Sequence, residues 1–139
     1  MYAVIRIRGE IKTKPDVRKA FETLNLNRVN HMSIWPETKS NYRAIKKVEG
    51  YATFGNVNEE VLGMILEKRG NFEEGTDAKK AFAALKSGKS ANEAGIKNCF
   101  RLSPPRKGHA RKGIKKSFNL GGALGERREA INDLILKMI

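Results

Sequence analysis

Between Ala94 and Gly125 the chain carries no aspartate or glutamate, yet it holds Lys97, Arg101, Arg106, Lys107, Arg111, Lys112, Lys115 and Lys116. These eight cations exceed half of the net charge of +13. A solvated charged face normally mixes signs, because opposite neighbours relieve repulsion. An unmixed cationic stretch repels itself unless a polyanion lies against it. The chemistry it offers is therefore phosphate binding. Pro104-Pro105 stiffens the entry, while Gly108 and Gly113 let backbone approach a sugar-phosphate chain. RNA contact is expected mainly on the reach, at Arg106, Lys107, His109, Arg111, Lys112, Lys115 and Lys116. The two ends are expected to hold it in place.

A second cationic group is Lys39, Asn41, Tyr42, Arg43, Lys46 and Lys47. It places an aromatic ring among cations, a combination that can stack on a base or ribose. An ordinary exposed helix face would read the same way. Arg28 and His31 are candidates to extend it, although a histidine in a strand is as readily structural.

Catalytic motifs fail on spacing. Gly88-Lys89-Ser90 resembles the end of a phosphate-binding loop, but Ala83 stands where the first glycine must be. Gly121-Gly122-Ala123-Leu124-Gly125 lacks dinucleotide-loop spacing. It can hold one phosphate on free N–H groups, or simply turn the chain into its last helix. Two histidines and one cysteine show no zinc-ligand spacing. Glu59-Glu60 and Glu73-Glu74 read as helix-start or loop charges. With no nucleophile paired to a base, no enzyme, cofactor, metal or small-molecule substrate is expected.

Composition sets the frame for these sites. With 40% apolar and 31% charged residues, the chain is globular rather than disordered. The single cysteine, Cys99, excludes an intrachain disulfide and fits a reduced compartment. No stretch approaches about 18 consecutive apolar residues, so no membrane partner is expected. The N-terminus alternates charged and apolar residues too early for a signal peptide.

The elements that must position the cations follow from periodicity. Tyr2 to Arg8 alternates as a strand, with Ala3, Ile5 and Ile7 on one face. A helix begins near Pro15, with Asp16 in its first turn and Val17, Ala20, Phe21 and Leu24 inward. Val29 to Trp35 is a second strand, Ser40 to Val48 a short helix, and Tyr51 to Phe54 a third strand. Beyond lie a helix from Asn58 to Arg69 and another capped by Thr76. The Ser90/Glu93 capping-box spacing predicts a further short helix. Phe100 to Leu102 reads as a brief strand. The last helix is expected over 126–138, with Ala130, Ile131, Leu134, Ile135 and Met138 inward. The expected fold class is thus α/β (α+β): a small βαβαβ sheet with helices on one face over residues 1–57. A mainly helical extension over 58–139 carries the basic loop 103–125.

FRLSPPRKG at Phe100 to Gly108, GGALG at Gly121 to Gly125 and the closing amphipathic helix resemble the archaeal form of the large-subunit ribosomal protein L-thirty family (eukaryotic L-seven). Upstream, PDVRKAFETLNLNRVNHMSIWP at Pro15 to Pro36 resembles that family's first helix and second strand. Asn41, Val48, Tyr51, Gly55 and Glu67-Lys68-Arg69-Gly70 fall where the family has similar residues. Arg43-Ala44 departs from its usual Gly-Met, and Phe54 from its frequent tryptophan. The resemblance implies a cytoplasmic ribosomal protein of the large subunit, bound to ribosomal RNA beside other ribosomal proteins. It also implies that the βαβαβ unit exists alone in a shorter bacterial form. The rival reading, a free-standing DNA-binding regulator, needs a recognition helix, and no helix here shows a helix-turn-helix pattern.

Overall fold

The computed structural model describes residues 1–139. Five strands form one sheet: β1 (Tyr2–Arg6), β2 (His31–Trp35), β3 (Ala52–Asn56), β4 (Phe100–Arg101) and β5 (Gly125–Glu126). Their order is β4-β2-β1-β3-β5. Every pairing is antiparallel except β3 with β5. Five helices accompany them: α1 (Pro15–Thr23), α2 (Lys39–Lys47), α3 (Glu59–Arg69), α4 (Ala78–Lys86) and α5 (Ile131–Met138). The α/β fold expected from the periodicities is present, and the sheet gains a two-residue strand on each edge.

Strand β1 is central because Ala3, Val4 and Ile5 are consecutive apolar residues, and all three are 0% exposed. Alternation sends Val4 to one face and Ala3 and Ile5 to the other. Val4 joins Ala20, Phe21 and Leu24 of the α1 region, Ile45 and Val48 of the α2 region, and Phe54 of β3. Ala3 and Ile5 join Met32 and Ile34 of β2 in a larger core. That core is completed by Val61, Leu62, Ile65 and Leu66 of α3, Ala81 and Leu85 of α4, and Ile131, Leu134, Ile135 and Met138 of α5. Helices thus cover both faces, α1 and α2 on one and α3 to α5 on the other.

Local hydrogen bonds move several element boundaries. The first strand stops at Arg6 because the N–H groups of Ile7 and Arg8 both turn to the Tyr51 carbonyl, at 3.0 and 2.9 Å. The second begins at His31, after a turn in which Asn30 takes φ 65°. Asp77, not Thr76, occupies the cap position of α4. Ser90 and Glu93 do exchange capping-box bonds: Ser90 N–H donates to Glu93 Oε2 at 3.0 Å, and Glu93 N–H to Ser90 Oγ at 3.5 Å. No helix follows, because the chain folds into turns that end at Gly95 with φ 69°.

The final helix begins at Ile131 rather than Glu126. Gly125 and Glu126 pair with Thr53 and Phe54 instead, and Arg127 N–H donates to the Phe54 carbonyl at 2.8 Å. The Arg128 backbone then lies so close over Gly55 that a Cβ there would collide with it. Asn132 locks the helix start: its Nδ2 donates to the Asn56 carbonyl at 3.1 Å, and its Oδ1 accepts from Asn58 N–H at 3.0 Å.

Asn98 closes the opposite edge. Its Oδ1 accepts from Ile34 N–H at 2.8 Å, and its Nδ2 donates to the Ile34 carbonyl at 2.9 Å. The side-chain amide acts as one more strand residue just ahead of the start of β4. Asn98→Ala removes both partners from a buried peptide group, and should lower unfolding free energy by about 2–4 kcal/mol. Urea denaturation checks this; a loss below about 1 kcal/mol would show that water replaces the amide.

Candidate nucleic-acid interface

The basic loop is tied down at both ends by backbone bonds. At its entry, Leu102 N–H donates to Asn30 O at 3.1 Å, Ser103 N–H to Met138 O at 2.9 Å, and Arg106 N–H to Lys137 O at 3.1 Å. Phe100 and Leu102 are buried in the larger core. At its exit, Ala123 and Leu124 N–H both reach the Lys116 carbonyl, at 2.9 and 3.1 Å. Gly122 sits against the Lys116 backbone with no room for a Cβ. The N–H groups of Gly121 and Gly122 go to Phe118 O and Ser117 O, at 2.9 and 2.8 Å. The glycine run spends these donors inside the loop, which makes it a turn rather than an anion cradle.

A buried guanidinium fixes the base of the loop. Arg127 is 8% exposed. Its Nε donates to Thr53 Oγ1 at 3.0 Å, and its Nη2 to the carbonyls of Ala123 at 3.1 Å and His109 at 3.5 Å. The group lies 4.7 Å from the centre of the Phe118 ring. No carboxylate touches it, and burial pulls its pKa below the ordinary guanidinium value. Oriented carbonyls and a ring face replace water here. Sequence reasoning left Arg127 out, because in Glu126-Arg127-Arg128-Glu129, at the expected start of the last helix, it looks like any surface charge.

Between these ties stand Arg106, Lys107, Arg111, Lys112, Lys115 and Lys116, all exposed. The four ion pairs of the molecule join Met1 to Glu37, Arg6 to Glu10, Lys46 to Glu49 and Lys86 to Glu59. None involves a cation of the acid-free stretch. The reach is less loose than its composition suggests, since Gly108 N–H bonds to Pro105 O and Lys112 N–H to Gly121 O. His109 differs from its neighbours. It is half-buried, its Nδ1 has no partner, and burial and then Arg127 lower its pKa, so the ring is neutral at pH 7.

The second group divides. Lys39, Arg43 and Lys47 are exposed on α2. Lys46 is held by Glu49, at 3.1 and 3.2 Å, a bond that raises its pKa. Tyr42 is half-buried, 6.0 Å from the Tyr2 ring and 6.1 Å from Phe54. Asn41 donates from Nδ2 to the Pro36 carbonyl at 3.0 Å, and its N–H bonds to the Thr38 cap at 3.2 Å. The end of α2 lies beside the loop exit, because Glu49 packs against Gly125. Arg28 and His31 are not part of this group. They line a separate cleft with Lys97 and Arg101 beside β4.

The profile of the family described as Ribosomal protein L30p/L7e matches residues 2–51, from β1 through α2. Three archaeal relatives extend the likeness over the full length, each called large ribosomal subunit protein uL30. That of Nanoarchaeum equitans is 42% identical, over 100% of this chain and 99% of its own. Those of Methanococcus maripaludis and Methanocella arvoryzae are 40% and 36% identical, over 99% of each chain. The chain belongs to the ribosomal protein L30p/L7e family. The resemblance seen in FRLSPPRKG and GGALG is thereby established.

Arg127→Gln tests how the loop is held. It removes the charge-assisted bonds and leaves buried carbonyls short of donors, at a cost of about 2–4 kcal/mol. Hydrogen exchange should show lost protection at Gly122, Ala123 and Leu124, with the amides of β1 protected as before at neutral pH. Uniform loss throughout the sheet would instead assign Arg127 to the global fold.

Proposed function

We propose that this protein is a structural constituent of the large ribosomal subunit that binds ribosomal RNA through the Arg106–Lys116 reach, assisted by Lys39, Arg43 and Lys47 on α2. It is a cytoplasmic, non-enzymatic component of the ribosome by its family. One observation carries the RNA-binding surface: six cations, none with a carboxylate partner, on an acid-free loop pinned at entry and exit.

Phosphates supply the missing anions. Binding releases counterions, so affinity comes mostly from charge, and the fixed loop shape supplies the fit. The core positions the cations, and RNA removes their mutual repulsion. Asn41 and Tyr42 support this surface by holding the start of α2 and packing it on the sheet. His109, uncharged, supports it through its carbonyl on Arg127. Neighbouring ribosomal proteins are the remaining partners. Residues 1–57 act as the shorter unit of the family, and residues 58–139 as the extension that carries the reach.

Replacing Arg111, Lys112, Lys115 and Lys116 together with glutamate should weaken binding to large-subunit ribosomal RNA at least about 100-fold near 0.1 M salt. The slope of log affinity against log salt should fall by about 3–4. Filter binding across a salt series measures both. These side chains are exposed, so thermal unfolding should stay near that of the parent. Unchanged, salt-insensitive binding overturns the proposal.

A further inference from the structure

Beside β4 the surface opens into a cleft of about 740 Å³. Its walls come from distant parts of the chain: the turn between α1 and β2, the start of β2, and the segment from Asn92 to Arg101. Register brings them together, since His31 lies opposite Arg101 and Met32 opposite Phe100. The cleft stands at the β4 edge of the sheet, where the basic loop departs, and the loop's exit with Arg127 at the β5 edge. Four strand spacings, roughly 19 Å, separate the two.

Three cations, Arg28, Lys97 and Arg101, line the cleft against one carboxylate, Glu73. None of the three is ion-paired. Asn25, Asn27 and Asn92 also line it, and their side-chain amides make no hydrogen bond within the chain. On the wall, the Cys99 sulfur meets His31 Nδ1 at 3.4 Å. Burial, and then Arg101 and Arg28, keep the His31 ring neutral at pH 7.

Nine of the eleven lining residues are polar or charged, with their aliphatic parts as the apolar surface, which suits a ligand with both a charged group and a flat ring. A small anion would use the cations and the amide N–H donors and leave the amide oxygens idle. Free amides carry donor and acceptor together, the pattern that reads the edge of an unpaired base. Guanidinium groups match phosphate oxygens in pairs. The volume lies within the roughly 300–1,000 Å³ of small-molecule sites. A concave site of that size takes one nucleotide turned out of its strand, whereas a duplex backbone suits the projecting loop.

We propose that the cleft formed by Arg28, His31, Lys97 and Arg101 with Asn25, Asn27 and Asn92 binds a single unstacked nucleotide of RNA. The proposal rests on the RNA-binding reading above and adds a second, base-selective site to it. Arg28 and Arg101 hold the phosphate, and the asparagines select the base.

Two measurements on the full-length protein test this. In the first, side-chain amide and histidine resonances are followed by NMR during titration with each nucleoside 5′-monophosphate and with inorganic phosphate. Expected are millimolar, saturable shifts at Asn25, Asn27, Asn92 and His31 that differ among the four bases. Arg101→Gln should abolish them and Lys112→Gln leave them intact. Equal shifts with inorganic phosphate, or none with any nucleotide, overturn the proposal. In the second, Arg28→Gln/Arg101→Gln is compared with the parent on large-subunit ribosomal RNA. Loss of the one phosphate contact to a single strand should reduce the salt slope by about 0.7. Affinity should fall at least tenfold. If this variant binds like the parent while the four-glutamate loop variant fails, the cleft proposal falls and RNA binding stands. If neither variant changes binding, RNA binding itself falls.

Discussion

Burial of β1 on both faces is the constraint on which the rest of this structure depends. Ala3, Val4 and Ile5 run consecutively and none is exposed, so the sheet needs an apolar layer on each side. Helices α1 and α2 supply one layer. The other needs α3, α4 and α5, which approach only after long excursions of the chain. Each fully buried Leu, Ile or Met contributes about 1.5–3 kcal/mol relative to exposure. The second layer therefore holds the ends of the basic loop as a consequence of completing the core. The loop leaves one edge of the sheet at β4 and returns at the other at β5.

Placing a cationic surface on so small a protein raises a conflict between stability and binding. Cations kept apart from carboxylates destabilise the free protein by self-repulsion. The chain resolves this by separation. Repulsive charges project from a loop whose side chains add little to the core, while neutral side-chain amides do the work at the sheet edges. Asn98 completes β2 and Asn132 ties α5 to β3 without adding charge. Arg127 is the exception, a buried cation surrounded by carbonyls and the Phe118 ring.

Much of this was legible in sequence because it depends on local rules. Alternation exposed β1, and apolar stripes at helical spacing marked the buried residues of α1 and α5. The acid-free stretch stood out because charge composition is a one-dimensional property. Boundaries were less legible where a distant partner competed. Residues Glu126 to Ala130 have helical character, yet β3 claims Glu126 and Arg127 for the sheet. Ser90 and Glu93 make their capping bonds without a helix behind them, because a cap cannot outweigh the turn at Gly95. Tyr42 looked like a free stacking ring, and its packing between Tyr2 and Phe54 was invisible without the register of β1 and β3.

By itself the sequence determined the sign and the place of the largest charge anomaly, the α/β class and the family to which the chain belongs. These are properties of composition and spacing, and folding does not alter them. Tertiary structure alone decided which cations share a surface. Arg28 left the α2 group for a cleft with Lys97 and Arg101, because β4 pairs antiparallel with the start of β2. It also decided that Arg127 is a buried fastener and His109 a neutral neighbour. Both outcomes follow from desolvation, and desolvation depends on what the rest of the chain brings alongside.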